Sequence, residues 1–105
     1  MSECSELTRP LIDALNQTGG YALRMNSGTI RLKGRTIKLH DKGTADILFF
    51  PRLRLECYAR PVWIETKIGK HGQDADQSLF QLRVETLGHR YILARTMDEG
   101  LGALR

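Results

Sequence analysis

Cysteine is scarce: only Cys4 and Cys57 occur among 105 residues. Two thiols make neither a disulfide framework nor a four-ligand zinc site, and they are read as reduced thiols in a cytoplasmic protein. No apolar run approaches the roughly 20 residues that span a membrane. The N-terminal segment has Glu3 and Glu6 and lacks the basic-then-apolar order of a signal peptide. There is no internal repeat, no low-complexity tract and no Pro/Gly/Ser-rich linker, so residues 1–105 are read as a single domain. Histidine is sparse as well. His40, His71 and His89 share no metal-ligand spacing. His71, in a glycine-bounded turn, is read as a solvent-exposed loop residue, with contact to a substrate as the alternative.

What is present fits a soluble globular chain, with 41% hydrophobic and 27% charged residues. The core will be small, so a strained or charged group inside it uses a large share of a marginal stability. Net charge is +4 and the pI is near 9.4. The basic residues are unevenly spread. Arg31, Lys33, Arg35, Lys38, Lys42, Arg52 and Arg54 are set against Asp41 and Asp46 alone in that stretch. Such a stripe suits a polyanion such as nucleic acid, although an ordinary solvated surface can carry one too.

Residues 5–17 read as a helix, with Leu7, Leu11, Ile12 and Leu15 on one stripe and Gly19-Gly20 as its stop. Pro10 implies a start later than Ser5, or a place in the first turn. Residues 21–25 alternate as a strand. Residues 29–32 and 36–39 form a hairpin around Lys33-Gly34-Arg35. Residues 45–50 and 62–68 are apolar strands, one stopped by Pro51 and the other begun after Pro61. Residues 73–87 read as a helix whose apolar side is Leu79, Phe80, Leu82, Val84 and Leu87, with Asp74 and Asp76 favouring its start. A strand over 91–94 and a short helix over 97–104, capped by Thr96, complete the order. This is an α/β or α+β domain, with one mixed sheet flanked by helices.

The chemistry-bearing residues cluster in the strand reading. Side chains alternate along a strand, so Trp63, Glu65 and Lys67 share one side and Val62, Ile64 and Thr66 the other. Glu65 and Lys67 then point the same way, roughly 7 Å apart at the backbone. Each is costly to bury unless paired or metal-bound, and so is Asp46 at the head of its own apolar run. If those two strands are neighbours, Asp46 and Glu65 can converge on one hard divalent cation, with Lys67 beside it. That set suits phosphodiester hydrolysis. The plainer alternative is an exposed Glu65–Lys67 ion pair, which is common and contributes little. Trp63 is expected beneath the first helix. Gln73, Gln77 and Gln81 recur every four residues along one stripe. Gln77 suits holding a water or a phosphate; Gln73 reads as solvated, and Gln81 fits either role.

Asn26-Ser27-Gly28, then Gly43-Thr44-Ala45-Asp46, then Ile64-Glu65-Thr66-Lys67, then Gln77 and Phe80 on a helix, then Gly88 and a strand, resemble the VRR-NUC family. These are small nucleases of the PD-(D/E)XK, or restriction-endonuclease-like, superfamily, and the resemblance runs from about Glu6 to Leu104. It implies a restriction-endonuclease-like core with a central mixed sheet of about four to five strands. It makes Asp46 and Glu65 metal-binding carboxylates, the Thr66 carbonyl a further ligand, Lys67 the catalytic lysine and Gln77 the helical glutamine near the active centre. Glu6 matches an acidic residue beside the metal, with Glu3 as its rival. Ala45 stands where the superfamily's proline would be.

The resemblance thus implies a Mg2+- or Mn2+-dependent endonuclease acting on DNA. Branched or junction DNA is the expected substrate, a homodimer the expected form, and DNA repair or replication the setting. Arg31, Lys33, Arg35 and Lys38 would grip the phosphate backbone, with Arg24, Asn26 and Lys70 in the same DNA-binding set. A non-catalytic DNA-binding module on the same fold, and an interaction protein whose charged strand is structural, are the alternatives.

Overall fold

The computed structural model describes residues 5–25, 29–38, 41–52 and 60–105. Glu3, Cys4, Asn26, His40 and Cys57 lie outside these residues. Helix α1 (Ser5–Asn16) already includes Ser5 and contains Pro10 in its interior, not in its first turn. An interior proline costs about 3 kcal/mol, because it removes one helical hydrogen bond and crowds the preceding turn. Pro10 is on the exposed side. Leu11 and Leu15 are fully buried on the other side, and at about 2 kcal/mol each they offset that cost.

Four strands make the main sheet, in the order β1 (Tyr21–Arg24), β4 (Ile47–Phe50), β5 (Val62–Thr66), β6 (Arg90–Ala94). The β1–β4 and β4–β5 pairs are antiparallel, and β5–β6 is parallel. The parallel pair needs a crossover, which helix α2 (Ala75–Thr86) supplies. Helix α3 (Met97–Leu101) and a 3₁₀ turn (Gly102–Leu104) follow β6. The expected mixed sheet flanked by helices is present, with four strands. The hairpin is separate from it. Strands β2 (Thr29–Leu32) and β3 (Arg35–Lys38) pair with each other in a two-stranded ribbon. Lys33 and Gly34 both take positive φ, 50° and 75°, which is the turn that matches strand twist in a two-residue hairpin. Arg35 already pairs with Leu32, so the tip is shorter than the three residues expected.

The core lies on the α1 and α3 side of the sheet, where Leu11, Leu15, Ile47, Phe49, Val62 and Ile64 are fully buried. Helix α2 covers the other side differently from the sequence expectation. It buries none of its residues, and Leu79, Leu82 and Leu87 are exposed. At 100° per residue, Phe80 and Val84 point roughly 150° away from Leu79 and Leu82, so five apolar residues cannot share one face. Phe80 packs inward, edge-on to Trp63 at 5.0 Å and tilted against Tyr91 at 6.2 Å. Trp63 therefore packs under α2 and not under α1. Among the described residues, no helix is long and apolar enough to cross a membrane.

Candidate active site

Asp46 is delivered by a short turn that only glycine allows. Gly43 has φ +90°, and a Cβ there would collide with the Asp76 backbone carbonyl in the first turn of α2. The Thr44 N–H and Oγ1 both donate to the Asp41 carbonyl, at 3.1 and 2.7 Å. Asp46 then sits at a bend directly before β4, one residue outside the strand that was expected to hold it. Its carbonyl accepts from the Met25 N–H at 2.7 Å. Ile47 pairs with Ile64, so an antiparallel register places Asp46 opposite Glu65.

The Asp46 carboxylate is held by Thr66. Its Oδ2 accepts from the Thr66 N–H at 2.9 Å and from Thr66 Oγ1 at 2.7 Å. Glu65 is only 3% exposed. Its Oε1 accepts from Gln77 Nε2 at 3.3 Å, and its Oε2 is buried with no hydrogen-bond donor facing it among the described residues. Burial pushes the Glu65 carboxyl up to about 9, with the hydrogen-bonding interaction and negative charge of Asp46 adding to it. Asp74 adds a little more, and the Lys67 ammonium pulls the other way. Two ionised carboxylates in this position repel each other in a water-poor site. Either one keeps a proton or a cation sits with both.

Gln77 is fixed by the start of its own helix. Asp74 and Gln77 form a capping box: Asp74 Oδ1 accepts from the Gln77 N–H at 2.8 Å, and Gln77 Oε1 accepts from the Asp74 N–H at 3.0 Å. With Oε1 committed, the amide nitrogen is the end that faces Glu65. Lys67 follows β5 directly, half-buried, with its N–H donating to the Ala94 carbonyl at 2.9 Å. The loop after it is tied down by Arg95, whose Nη1 donates to the Gly69 and His71 carbonyls at 2.8 and 2.7 Å.

The donor set fits a hard divalent cation. It offers two carboxylates, one of them with an orphaned oxygen at Glu65 Oε2, and no thiolate or imidazole joins them among the described residues. Among the described residues, no three His, Cys, Asp or Glu side chains gather to hold a metal ion. The carboxylate pair would therefore carry it.

No family model matches the sequence, and no curated protein does. One solved structure, described as "VRR_NUC domain", superposes with a TM-score of 0.66, covering 95% of this chain and 91% of that one at 13% identity. The chain has the VRR_NUC fold. Within it, Asp46, Glu65, Lys67 and Gln77 come together at the end of β5, as described above.

Other residues expected from the sequence lie elsewhere. Glu6 is exposed in the first turn of α1 and does not join the carboxylate pair. Thr8 is the α1 residue buried against the site, and Glu6 lies roughly 200° round the helix from it. Arg31, Lys33 and Arg35 are exposed on the hairpin, and Lys38 closes β3. Arg24 ends β1 and Lys70 lies in the loop after Lys67; both are exposed. Asn26 falls outside the described residues.

Sequence reading passes over Thr8 and Tyr91, takes Asp74 only as favouring the start of α2, and assigns Gln73 to solvent. Gln73 is half-buried, precedes α2 instead of sharing its stripe, and donates to the Tyr91 hydroxyl at 2.9 Å. Burial and the nearby Glu65 charge push the Tyr91 phenol up. Only the capping pattern of Asp74 and Gln77 leaves a local signal in the sequence. Gln81 is half-buried and His71 is exposed.

Proposed function

We propose that the chain is a Mg2+- or Mn2+-dependent endonuclease that hydrolyses DNA phosphodiester bonds. The observation that carries this reading is the placement of buried Glu65 opposite half-buried Asp46, with Glu65 Oε2 lacking a donor among the described residues. The likeness of fold to a VRR_NUC domain supports the same reaction class.

A divalent cation, when bound, supplies positive charge to a phosphate oxygen and makes a water easier to deprotonate. Asp46 and Glu65 would hold that cation with their carboxylates, and the Thr66 carbonyl would add an oxygen. Gln77 keeps Glu65 in place by donating from Nε2 to Glu65 Oε1. Lys67 donates hydrogen bonds to the attacking water and to the negative charge that builds on the phosphate in the transition state. The exposed cations of the hairpin hold the phosphate backbone, along with Arg24 and Lys70. In its finer form, the proposal is a structure-selective enzyme for branched, junction-type DNA. It acts as a homodimer, because each chain brings one site and two symmetric strands need two cuts.

Replacing Lys67 by Ala tests the reaction. Nicking of plasmid and of a four-way junction with Mg2+ or Mn2+ should fall at least about a hundredfold, while DNA binding persists. Cleavage by Lys67→Ala at the wild-type rate contradicts the mechanism. Salt-sensitive binding by the wild type, with no turnover under any divalent ion, favours a non-catalytic DNA-binding module.

A further inference from the structure

Thr8 and Thr66 are at most 1% exposed, and a hydroxyl buried that deeply is seldom left unbonded. Their Oγ1 atoms lie 2.6 Å apart. Thr66 Oγ1 is also 2.7 Å from Asp46 Oδ2. A hydroxyl has one proton to give, and in its contact with Asp46 the Thr66 hydroxyl is the donor. Thr66 therefore donates to Asp46, so in its hydrogen bond with Thr8 it is Thr8 that donates. The direction is fixed along the chain: Thr8 to Thr66 to Asp46.

The Thr66 N–H donates to the same Oδ2 at 2.9 Å. Two donors fill that oxygen, which leaves Oδ1 for other partners. A carboxylate is not held by its own rotamer, because its terminal torsion is broad. It needs outside donors to keep one plane. Packing does not explain Thr8 either. It lies on the buried stripe of α1 with Leu11 and Leu15, where a straight-chain apolar residue would suit the helix better.

We infer that Thr8 and Thr66 are positioning residues: their hydroxyl relay, reaching from α1 to Asp46, sets the plane in which that carboxylate receives a divalent cation. This rests on the cation site of the proposed nuclease. The relay also gives α1 a part in the site without Glu6. A break at its far end, at Thr8, acts on the cation through two intervening hydrogen bonds.

Thr8→Val and Thr66→Val keep the side-chain shape and remove the hydroxyl; Thr8→Ser and Thr66→Ser keep the hydroxyl. Mn2+ is titrated calorimetrically into each full-length metal-free protein, with a thermal melt to confirm folding. Thr66→Val should weaken Mn2+ binding about tenfold or more, and Thr8→Val should weaken it in the same direction. Both serine variants should stay close to wild type. In cleavage, excess Mn2+ should restore the valine variants with KM for DNA unchanged, which a general loss of fold would not do. If Thr66→Val does not fold, Thr8→Val decides. Folded valine variants that bind Mn2+ as wild type does overturn the relay alone. A wild type that binds no Mn2+ removes the cation site itself, and the relay with it.

Discussion

A carboxyl that is 3% exposed beside a second carboxylate persists either as the acid or as the anion around a cation. Without metal, Glu65 keeps its proton up to about 9, against 4.5 in the unfolded chain. At pH 7 that difference costs the fold roughly 3 kcal/mol, at about 1.4 per pH unit above 4.5. The folded pKa lies above the unfolded one, so the folded state holds more protons between them. The contribution is complete below 4.5 and is lost as pH rises toward 9. Urea unfolding of metal-free protein should therefore show stability falling from pH 5 to 8.5. Glu65→Gln should flatten that slope and gain on the order of 3 kcal/mol at pH 7. Equal slopes for the two proteins would rule the account out. At this scale the sequence is legible wherever residue type and strand alternation decide the matter. Asp46, Glu65 and Lys67 stand out as charges in apolar runs. Tyr91 and Thr8 do not, because their roles depend on which strand and which helix lie across from them.

Element identity is legible because hydrophobic periodicity and breakers are local. The glycine stops, Pro51, Pro61 and the Asp74–Gln77 pair mark most ends within a residue or two. What periodicity leaves open is the facing of one element against another. Alternation puts Trp63 and Lys67 on the Glu65 side of β5, yet it cannot say which helix covers that side. The apolar residues of α2 look like a single face in the sequence although they wind round the helix. Pro10 argues for a shorter α1, but tertiary burial of Leu11 and Leu15 outweighs it. The turn at Gly43 links two elements and gives a sharp test. Gly43→Ala would meet both a left-handed φ and the Asp76 carbonyl. A loss of about 2 kcal/mol or more is expected. Mn2+ binding should weaken with it, because the turn that carries Asp46 must move off α2. Urea midpoints with parallel Mn2+ titrations measure both, and an unchanged pair of values would show that the turn does not set the site.

As a whole the molecule extends 50 Å by 29 Å by 29 Å, with the basic ribbon pairing on itself and not on the main sheet. A two-stranded ribbon is marginal alone, and its exposed Arg31, Lys33 and Arg35 suit a polyanion. Replacing all three by Ala should reduce the log–log salt slope of DNA binding, by about 0.9 for each phosphate that is no longer neutralised. KM for DNA should rise while kcat at saturation holds. A fall in kcat with binding intact would instead place the ribbon in the chemistry. The net charge foretells such a surface; the separation of the ribbon from the sheet cannot be read, since both halves of the pattern look like ordinary strands. The central claim, that Asp46 and Glu65 share a cation, is tested most directly by calorimetric titration of Mn2+ into the intact metal-free protein at pH 7.5, in buffers of different ionisation heat. Saturable binding is expected, releasing roughly one proton, from Glu65, and abolished by Asp46→Asn. No binding, or binding without proton release that survives Asp46→Asn, would contradict it.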